Sequence, residues 1–267
     1  MKKYKIGFIG TGNIATAIYN GITSSGYITH ENIMLFDTDK SKILPFANKG
    51  SAVANSAVLL VENCEYVFLT VKPQIYQMVL AEIKDACTNV CLVDVAAGIS
   101  IKYIKDTLGF NLPVIRVMPN TPINVGLGST ALVKEEPVTD DQFNFIKGCF
   151  DSCGITAVVD EDKINTVIAI SGSSPAYIMR FIKTVSEYGI NNGLSETDSK
   201  NLAVQTLAGC AKLIMNSKED ISTLISNVTS PNGTTFEGLK SLDNDLFDEV
   251  IIKCLEATVK RAEELSK

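Results

Sequence analysis

Tyr4-Lys5-Ile6-Gly7-Phe8-Ile9-Gly10-Thr11-Gly12-Asn13-Ile14-Ala15 decides the fold. Lys5 to Ile9 reads as a short buried strand, apolar after its first residue. Gly10-Thr11-Gly12 breaks it, and Ile14 to Ile18 resumes as a helix. Strand, glycine loop and helix in that order form the phosphate half of a dinucleotide site. Gly10 allows the tight turn, Gly12 lets the backbone approach a pyrophosphate, and Ala15 lets helix and strand pack closely. The helix start offers unpaired N–H groups to the anion. The spacing by itself recurs in ordinary turns; its place between a strand and a helix gives it meaning.

Working outward, Ile33–Phe36 reads as a second strand closed by Asp37. In a dinucleotide fold an acid there hydrogen-bonds the adenosine ribose and repels a 2′-phosphate, which leans the cofactor towards NADH. The alternative is that Asp37, like Asp39, caps a helix starting near Lys40, and Lys40 and Lys42 could still receive a 2′-phosphate. Ser51–Ala54 is a third strand, followed by a helix from Asn55 to Asn63. Tyr66–Val71 is a fourth, almost continuously apolar as a strand buried on both faces should be, and Lys72-Pro73 stops it. A helix over Gln74–Ala86, a strand over Val90–Val95, a helix capped by Ser100 and a strand over Val114–Val117 follow. Strands alternating with helices predict an α/β fold, a parallel doubly wound Rossmann sheet. Ligands in such sheets sit at the carboxyl ends of the strands. That rule gathers Gly10–Ile14, Asp37, Thr70–Pro73, Ala96–Gly98 and Asn120–Pro122 into one cofactor cleft.

Two late strands, Ser129–Val133 and Ile155–Val159, flank a helix over Asp140–Cys153. From Asp162 onward the periodicity is helical throughout: 174–192, 196–216, 222–228, 234–242 and 246–266. The expected organisation is a Rossmann domain over residues 1–160 and an all-helical dimerisation and substrate domain over 161–267. Helix 196–216 carries apolar residues on more than one face (Leu202, Val204, Leu207, Leu213, Ile214). A domain of roughly a hundred residues struggles to cover several such helices alone, so a homodimer through the C-terminal helices is expected.

Composition narrows the function. A formal net charge of −6 gives no electrostatic footprint for nucleic acid or an anionic membrane. No apolar run reaches the length of a membrane span. Met1-Lys2-Lys3 leads straight into the first strand without a leader, so the cytoplasm is the expected location. Seven cysteines are scattered without a CxxC pair and the chain holds a single histidine, His30, so buried free thiols are expected rather than a metal site. His30 falls in a polar loop and is expected at the surface, which argues against histidine-dependent catalysis.

One stretch of the helical region is polar and turn-like: Asn227-Val-Thr-Ser-Pro-Asn-Gly-Thr-Thr-Phe236. Pro231-Asn232-Gly233 breaks the chain and Thr234 opens a helix. Successive N–H groups beside hydroxyls suit a small carboxylate; an ordinary interhelical turn with threonine caps is the simpler reading of composition alone. Ser171-Gly-Ser-Ser-Pro-Ala-Tyr177 is a second small-residue bend, compatible with a close helix crossing.

Gly7–Asn13, Val71-Lys-Pro73, Ala96-Ala-Gly98, Arg116-Val-Met-Pro-Asn-Thr-Pro122, Ser171–Tyr177 and Val228–Thr235, in that order along nearly the whole chain, resemble the pyrroline-5-carboxylate reductase family. The resemblance implies reduction of L-1-pyrroline-5-carboxylate, a cyclic imine carboxylate, to L-proline by NADH or NADPH, the last step of proline biosynthesis. It implies interlocked helical dimers, often assembled further, with each active site built from both subunits. Carried onto matching positions, it places the cofactor on Gly10, Thr11, Gly12, Asn13, Ile14, Asn55, Thr70, Val71, Lys72, Pro73, Ala97 and Asn227. It places the substrate on Ser230, Gly233, Thr234 and Thr235, with Glu161 nearby and the Thr235 hydroxyl facing the ring nitrogen as the catalytic group. Three positions depart from the family pattern: Ser174 and Asn232 stand where glycine is usual, and Thr70 where alanine is.

The chemistry agrees with these residues. A protonated imine is already electrophilic, so hydride transfer to its C=N bond needs positioning more than a strong general acid. Two other readings compete. A β-hydroxyacid dehydrogenase-like oxidoreductase would need a catalytic lysine beside a glycine-rich interdomain turn, a context that Lys183 and Lys212 lack. A catalytically silent NAD-binding regulatory module would have no need of the 227–235 turn.

Overall fold

The computed structural model describes residues 2–266. The chain divides into two compact units, one comprising residues up to Ser173 together with those from Thr258 on, the other Ser174–Ala257.

The first unit is built on an eight-stranded sheet in the order β3-β2-β1-β4-β5-β6-β7-β8. Its strands are β1 (Tyr4–Ile9), β2 (Ile33–Phe36), β3 (Ala52–Val53), β4 (Cys64–Leu69), β5 (Cys91–Asp94), β6 (Val114–Met118), β7 (Gly128–Lys134) and β8 (Gly154–Val158). The first six run parallel. They are crossed by α1 (Asn13–Ser24), a short α2 (Leu44–Ala47), α3 (Ala57–Asn63), α4 (Tyr76–Ile83) and α5 (Ile101–Leu108). The α6 helix (Asp140–Asp151) links β7 to β8, and a one-turn α7 (Ile164–Val167) follows. Two apolar cores cover the two faces. Leu60, Val79, Leu80, Ile104 and Leu108 bring α3, α4 and α5 to one, and Ile18, Tyr19, Ile22, Ile146 and Phe150 bring α1 and α6 to the other. The doubly wound sheet expected from the alternation of elements is therefore present, with one departure. β7 pairs with β6 antiparallel. The connection between them holds only the 3₁₀ turn Thr121–Val125, too short for the crossover a parallel partner requires.

Local chemistry explains the element ends. Ser56 and Ser100 cap α3 and α5, accepting from the N–H groups of Leu59 and Tyr103. Thr139 and Gln142 form a reciprocal capping box at α6. β4 ends two residues earlier than the apolar run Tyr66–Val71 predicts. There the Thr70 N–H donates a last bond to the Ile9 carbonyl at 3.0 Å, and its hydroxyl lies 2.9 and 2.7 Å from the carbonyls of Ile9 and Gly10. His30 is not a free surface residue. It lies half-buried with its ring stacked on Tyr19 and Nδ1 at 2.8 Å from the Tyr19 hydroxyl. Five cysteines of this unit, Cys64, Cys87, Cys91, Cys149 and Cys153, are free and buried. Burial pushes the thiols of Cys64, Cys87 and Cys91 up to about 12, which keeps them protonated and unreactive.

The second unit is helical. α8 (Ser174–Asn191) and α9 (Glu196–Asn216) form a hairpin through Gly193, which takes φ +93. The Ser199 hydroxyl pins the pair by donating to the Ser186 carbonyl at 2.6 Å. α10 (Ile221–Asn227), α11 (Thr234–Asn244) and α12 (Phe247–Leu265) follow, the last entering the first unit's residue set at Thr258. Among the described residues from 174 to 257, no apolar side chain is buried.

Candidate active site

The order of strands reverses between β1 and β4, which is where a doubly wound sheet opens a crevice at its carboxyl edge. Gly10 leaves β1 there with φ +95, and a Cβ on it would lie 2.9 Å from the Thr70 carbonyl oxygen and 2.9 Å from Val71. Both the backbone conformation and the neighbour demand glycine. Gly12 differs: its φ is ordinary and a Cβ there would meet nothing within 4 Å. It faces open space at the start of α1, a helix with no side-chain cap and no acidic residue in its first turn. The first N–H groups of α1 are thus left for an incoming anion. Ala15 is buried, as close packing of α1 requires. Gly7, in the same motif, has a different role: a Cβ there would collide with Leu60 of α3 and Cys64.

A crevice of about 260 Å³ opens beside this loop, lined by Gly10, Gly12, Asp37, Thr38, Thr70 and Lys72 among others. A second, of about 170 Å³, is lined by Phe36, Asp37, Lys40, Val53 and Asn55. Phe36 and Asp37 are common to both. Asp37 is also tied to the loop. Its Oδ2 accepts from the N–H and the hydroxyl of Thr11, and its Oδ1 accepts from the N–H of Asp39 at 2.9 Å. Asp39 caps the following turn through the Ser41 N–H, whereas Asp37 does not. Of the expected cofactor residues, Gly10–Ile14, Asp37, Asn55 and Thr70–Pro73 all belong to this edge of the first unit, with Pro73 opening a 3₁₀ turn.

Ala97 stands half-buried in the turn after β5, between Ala96 and Gly98. Gly98 has φ +80, and a Cβ on it would strike the carbonyl of Leu265. Glu161 sits in the same unit. Its Oε1 accepts from the Ile101 N–H, at the start of α5, at 2.8 Å and from Arg116 Nη1 at 2.9 Å. Asn120 closes the β6–β7 connection, donating to the Ser171 carbonyl at 3.2 Å and accepting from the Ser129 N–H at 2.9 Å. The Ser171–Ser174 bend is not tight: a Cβ on Gly172 would find its nearest neighbour at 3.9 Å.

The remaining expected residues, Asn227, Ser230, Gly233, Thr234 and Thr235, belong to the second unit. Asn227 ends α10 and donates to Glu219 at 3.0 Å. Asn232 takes φ +54, the left-handed conformation that asparagine tolerates where glycine is usual. Gly233 is the N-cap of α11, and no side chain caps that helix. Thr235 is therefore in the first turn rather than at the cap, which corrects the expectation of a capping threonine. Ser230, Thr234 and Thr235 are exposed, so hydroxyls and uncapped N–H groups face outward together from this turn.

A family model described as pyrroline-5-carboxylate reductase dimerisation matches residues 161–265, and one described as NADP oxidoreductase, coenzyme F420-dependent, matches residues 5–98. The chain is 32% identical over 265 residues to the pyrroline-5-carboxylate reductase of Escherichia coli (strain K12), covering 98% of each. The chain belongs to the pyrroline-5-carboxylate reductase family.

Solved members of the family agree over the full length. The enzyme of Plasmodium falciparum, with NADP bound, superposes with a TM-score of 0.92 at 30% identity, covering 100% of both chains. That of Coxiella burnetii does so with 0.91 at 33%, again over 100% of both. Membership sets aside the β-hydroxyacid dehydrogenase reading. The carboxyl edge of the sheet also holds Tyr76 and Asp94, which the sequence reading did not single out, and Arg116, which it quoted within a motif without giving its side chain a role. Their signal was present, since Asp94 and Arg116 are charges inside the apolar runs Val90–Val95 and Val114–Val117.

Proposed function

We propose that the chain reduces L-1-pyrroline-5-carboxylate to L-proline with NADH or NADPH, in the last step of proline biosynthesis. When bound, the dihydronicotinamide supplies a hydride to the C=N carbon. The rest falls to the chain's own residues. Gly10, Gly12 and the start of α1 hold the pyrophosphate, as the open space at Gly12 and the uncapped helix allow. Thr70–Pro73, Asn55, Ala97 and Asn227 orient the cofactor. The N–H groups of Gly233, Thr234 and Thr235, with Ser230, hold the substrate carboxylate. The Thr235 hydroxyl accepts the N–H of the protonated imine and keeps that proton on nitrogen as the carbon is reduced. Glu161, which the family resemblance sets near the substrate, is held in the first unit by Arg116 and the Ile101 N–H.

The observation that carries this reading is the α11 start: an uncapped first turn bearing two adjacent exposed threonines. Turnover of pyrroline-5-carboxylate with NADH and NADPH, compared with a β-keto acid, tests it. No oxidation of either cofactor with the imine, or turnover only of the keto acid, would refute it.

Asp37 favours NADH, since a carboxylate at the end of β2 repels a 2′-phosphate. Apart from Asn227, the residues assigned to the cofactor belong to the first unit, and the turn assigned to the substrate carboxylate and the dimerising helices belong to the second. Residues 174–257 expose Phe181, Leu202, Met215 and Ile252 at 56, 60, 74 and 53%. Apolar helix faces of that extent support burial in a homodimer. Among the described residues, no helix is long and apolar enough to cross a membrane. Free buried thiols suit a reducing compartment, and we place the protein in the cytoplasm.

A further inference from the structure

Beneath the strand ends, Asp94 and Arg116 face each other from adjacent strands; they are register partners in the β5–β6 pair. Asp94 is fully buried and Arg116 is 5% exposed. Asp94 Oδ1 accepts from the Ala96 N–H at 3.0 Å and lies 2.6 Å from the Tyr76 hydroxyl. That hydroxyl is also 2.7 Å from the Leu69 carbonyl oxygen. On the other side, Asp94 Oδ2 stands 3.7 Å from Arg116 Nε, and neither atom has a hydrogen-bond partner among the described residues. Arg116 Nη1 reaches Glu161, which in turn receives the Ile101 N–H.

Protons do not balance here if every acid is ionised. A phenol carries one hydrogen, yet Tyr76 faces two acceptors. If that hydrogen goes to Leu69, the short contact to Asp94 is attractive only when Asp94 is itself protonated and donates. If Asp94 is ionised, Tyr76 must turn to it and give up its bond to the Leu69 carbonyl. Charge gives the same answer: two carboxylates face one guanidinium, and one proton makes the buried group neutral. The titratable and charged groups around Asp94 are Tyr76, Arg116 and Glu161.

We propose that Asp94 and Tyr76 are proton-sharing positioning residues, whose chain from Asp94 through Tyr76 to Leu69 sets the two strand-end turns at Thr70–Pro73 and Ala96–Gly98. Arg116 extends the brace to Glu161 and to the start of α5. Desolvation pushes Asp94 up to about 6, with Glu161 adding to the shift and Tyr76, the Ala96 N–H and Arg116 opposing it. The chain is complete when the proton is present and broken at Leu69 when it leaves. The inference rests on the imine reductase reading, because those two turns are the ones assigned to the cofactor.

Kinetics of the parent, Asp94→Asn and Tyr76→Phe across pH test it, with parent turnover of pyrroline-5-carboxylate measured first. Misplaced turns should lower kcat by about tenfold below pH ~6 in each variant, with KM values within about threefold. The amide does not titrate, so the parent-to-Asp94→Asn ratio of kcat should fall as pH rises through about 6. A purely structural role would lower the unfolding midpoint and leave that ratio flat. Parental kcat at every pH in a folded variant overturns the proposal. If neither variant folds, or if the parent is inert towards the imine, ¹³C titration of aspartate carboxyls in the parent decides. A carboxyl assigned to Asp94 titrating near 6 supports it, and one titrating in the ordinary range of about 4 overturns it. An inert parent would count separately against the function.

Discussion

One carboxylate oxygen of Asp37 takes both the backbone N–H and the hydroxyl of Thr11, at 2.8 and 2.9 Å. The residue expected to meet the adenosine ribose therefore also braces the glycine loop from the end of the neighbouring strand. The two roles separate by substitution. Asp37→Ser should raise the NADPH-to-NADH ratio of kcat/KM by roughly tenfold, since about 1.4 kcal/mol of ribose contact is lost and the repulsion of a 2′-phosphate disappears. Thr11→Ala should weaken both cofactors alike, by a few-fold, with the ratio unchanged. Steady-state kinetics with each cofactor read the difference, and an unchanged ratio in Asp37→Ser refutes the preference for NADH.

At Gly10 the glycine is fixed by conformation and by space. Gly10→Ala would place a methyl group 2.9 Å from the Thr70 carbonyl at φ +95. The cost should be roughly 2–4 kcal/mol of stability, from left-handed backbone strain and overpacking together. Gly12→Ala meets no neighbour within 4 Å, so it should leave stability within about 0.5 kcal/mol while weakening cofactor binding. Urea unfolding and cofactor titration on both variants check this contrast.

Asp94 makes stability depend on pH. Its carboxyl is raised from 3.8 to about 6 by desolvation, so the folded chain binds the proton more tightly than the unfolded one. That contribution is fully present below the unfolded value and is lost as pH rises through the folded one. About 3 kcal/mol should be lost by the parent between roughly pH 4 and 7 on this account, at about 1.4 kcal/mol per unit. Asp94→Asn does not titrate, so its stability relative to the parent should rise by that amount over the same window. Urea midpoints at the two ends of the window measure it, and a pH-independent gap contradicts it.

Much of this was legible in the sequence, for physical reasons that differ by element. β1, β2 and α9 announce themselves through apolar periodicity and through breakers at their ends. The end of β4 did not, because Thr70 and Val71 have strand-like side chains, and the strand stops where its neighbour β1 ends at Ile9 and turns away at Gly10. The antiparallel β7 carries the same apolar run as a parallel strand, and only the shortness of its connection betrays its direction. Asp94 and Arg116 were visible as charges in buried strands, yet their pairing depends on β5–β6 register, which no local pattern encodes. His30 looked exposed because its neighbours are polar; its partner Tyr19 lies a helix away.

The exposed apolar faces of 174–257 predict the state of assembly. Size-exclusion chromatography with light scattering at about micromolar concentration should give at least a dimer. Leu202→Glu, 60% exposed within that set, should shift the protein towards monomer and lower its solubility margin. A monomeric parent refutes dimerisation through these helices.

The central claim is that the turn at 233–235 binds and orients the imine while the glycine-loop crevice holds the cofactor. Its most direct test is NAD(P)H oxidation driven by L-1-pyrroline-5-carboxylate, with L-proline quantified as product, for the parent and Thr235→Val. The expected result is stoichiometric proline from the parent, and a loss of about ten- to a thousandfold in kcat/KM for Thr235→Val at an unchanged unfolding midpoint. Unchanged kinetics in Thr235→Val, or cofactor oxidation without proline, would contradict it.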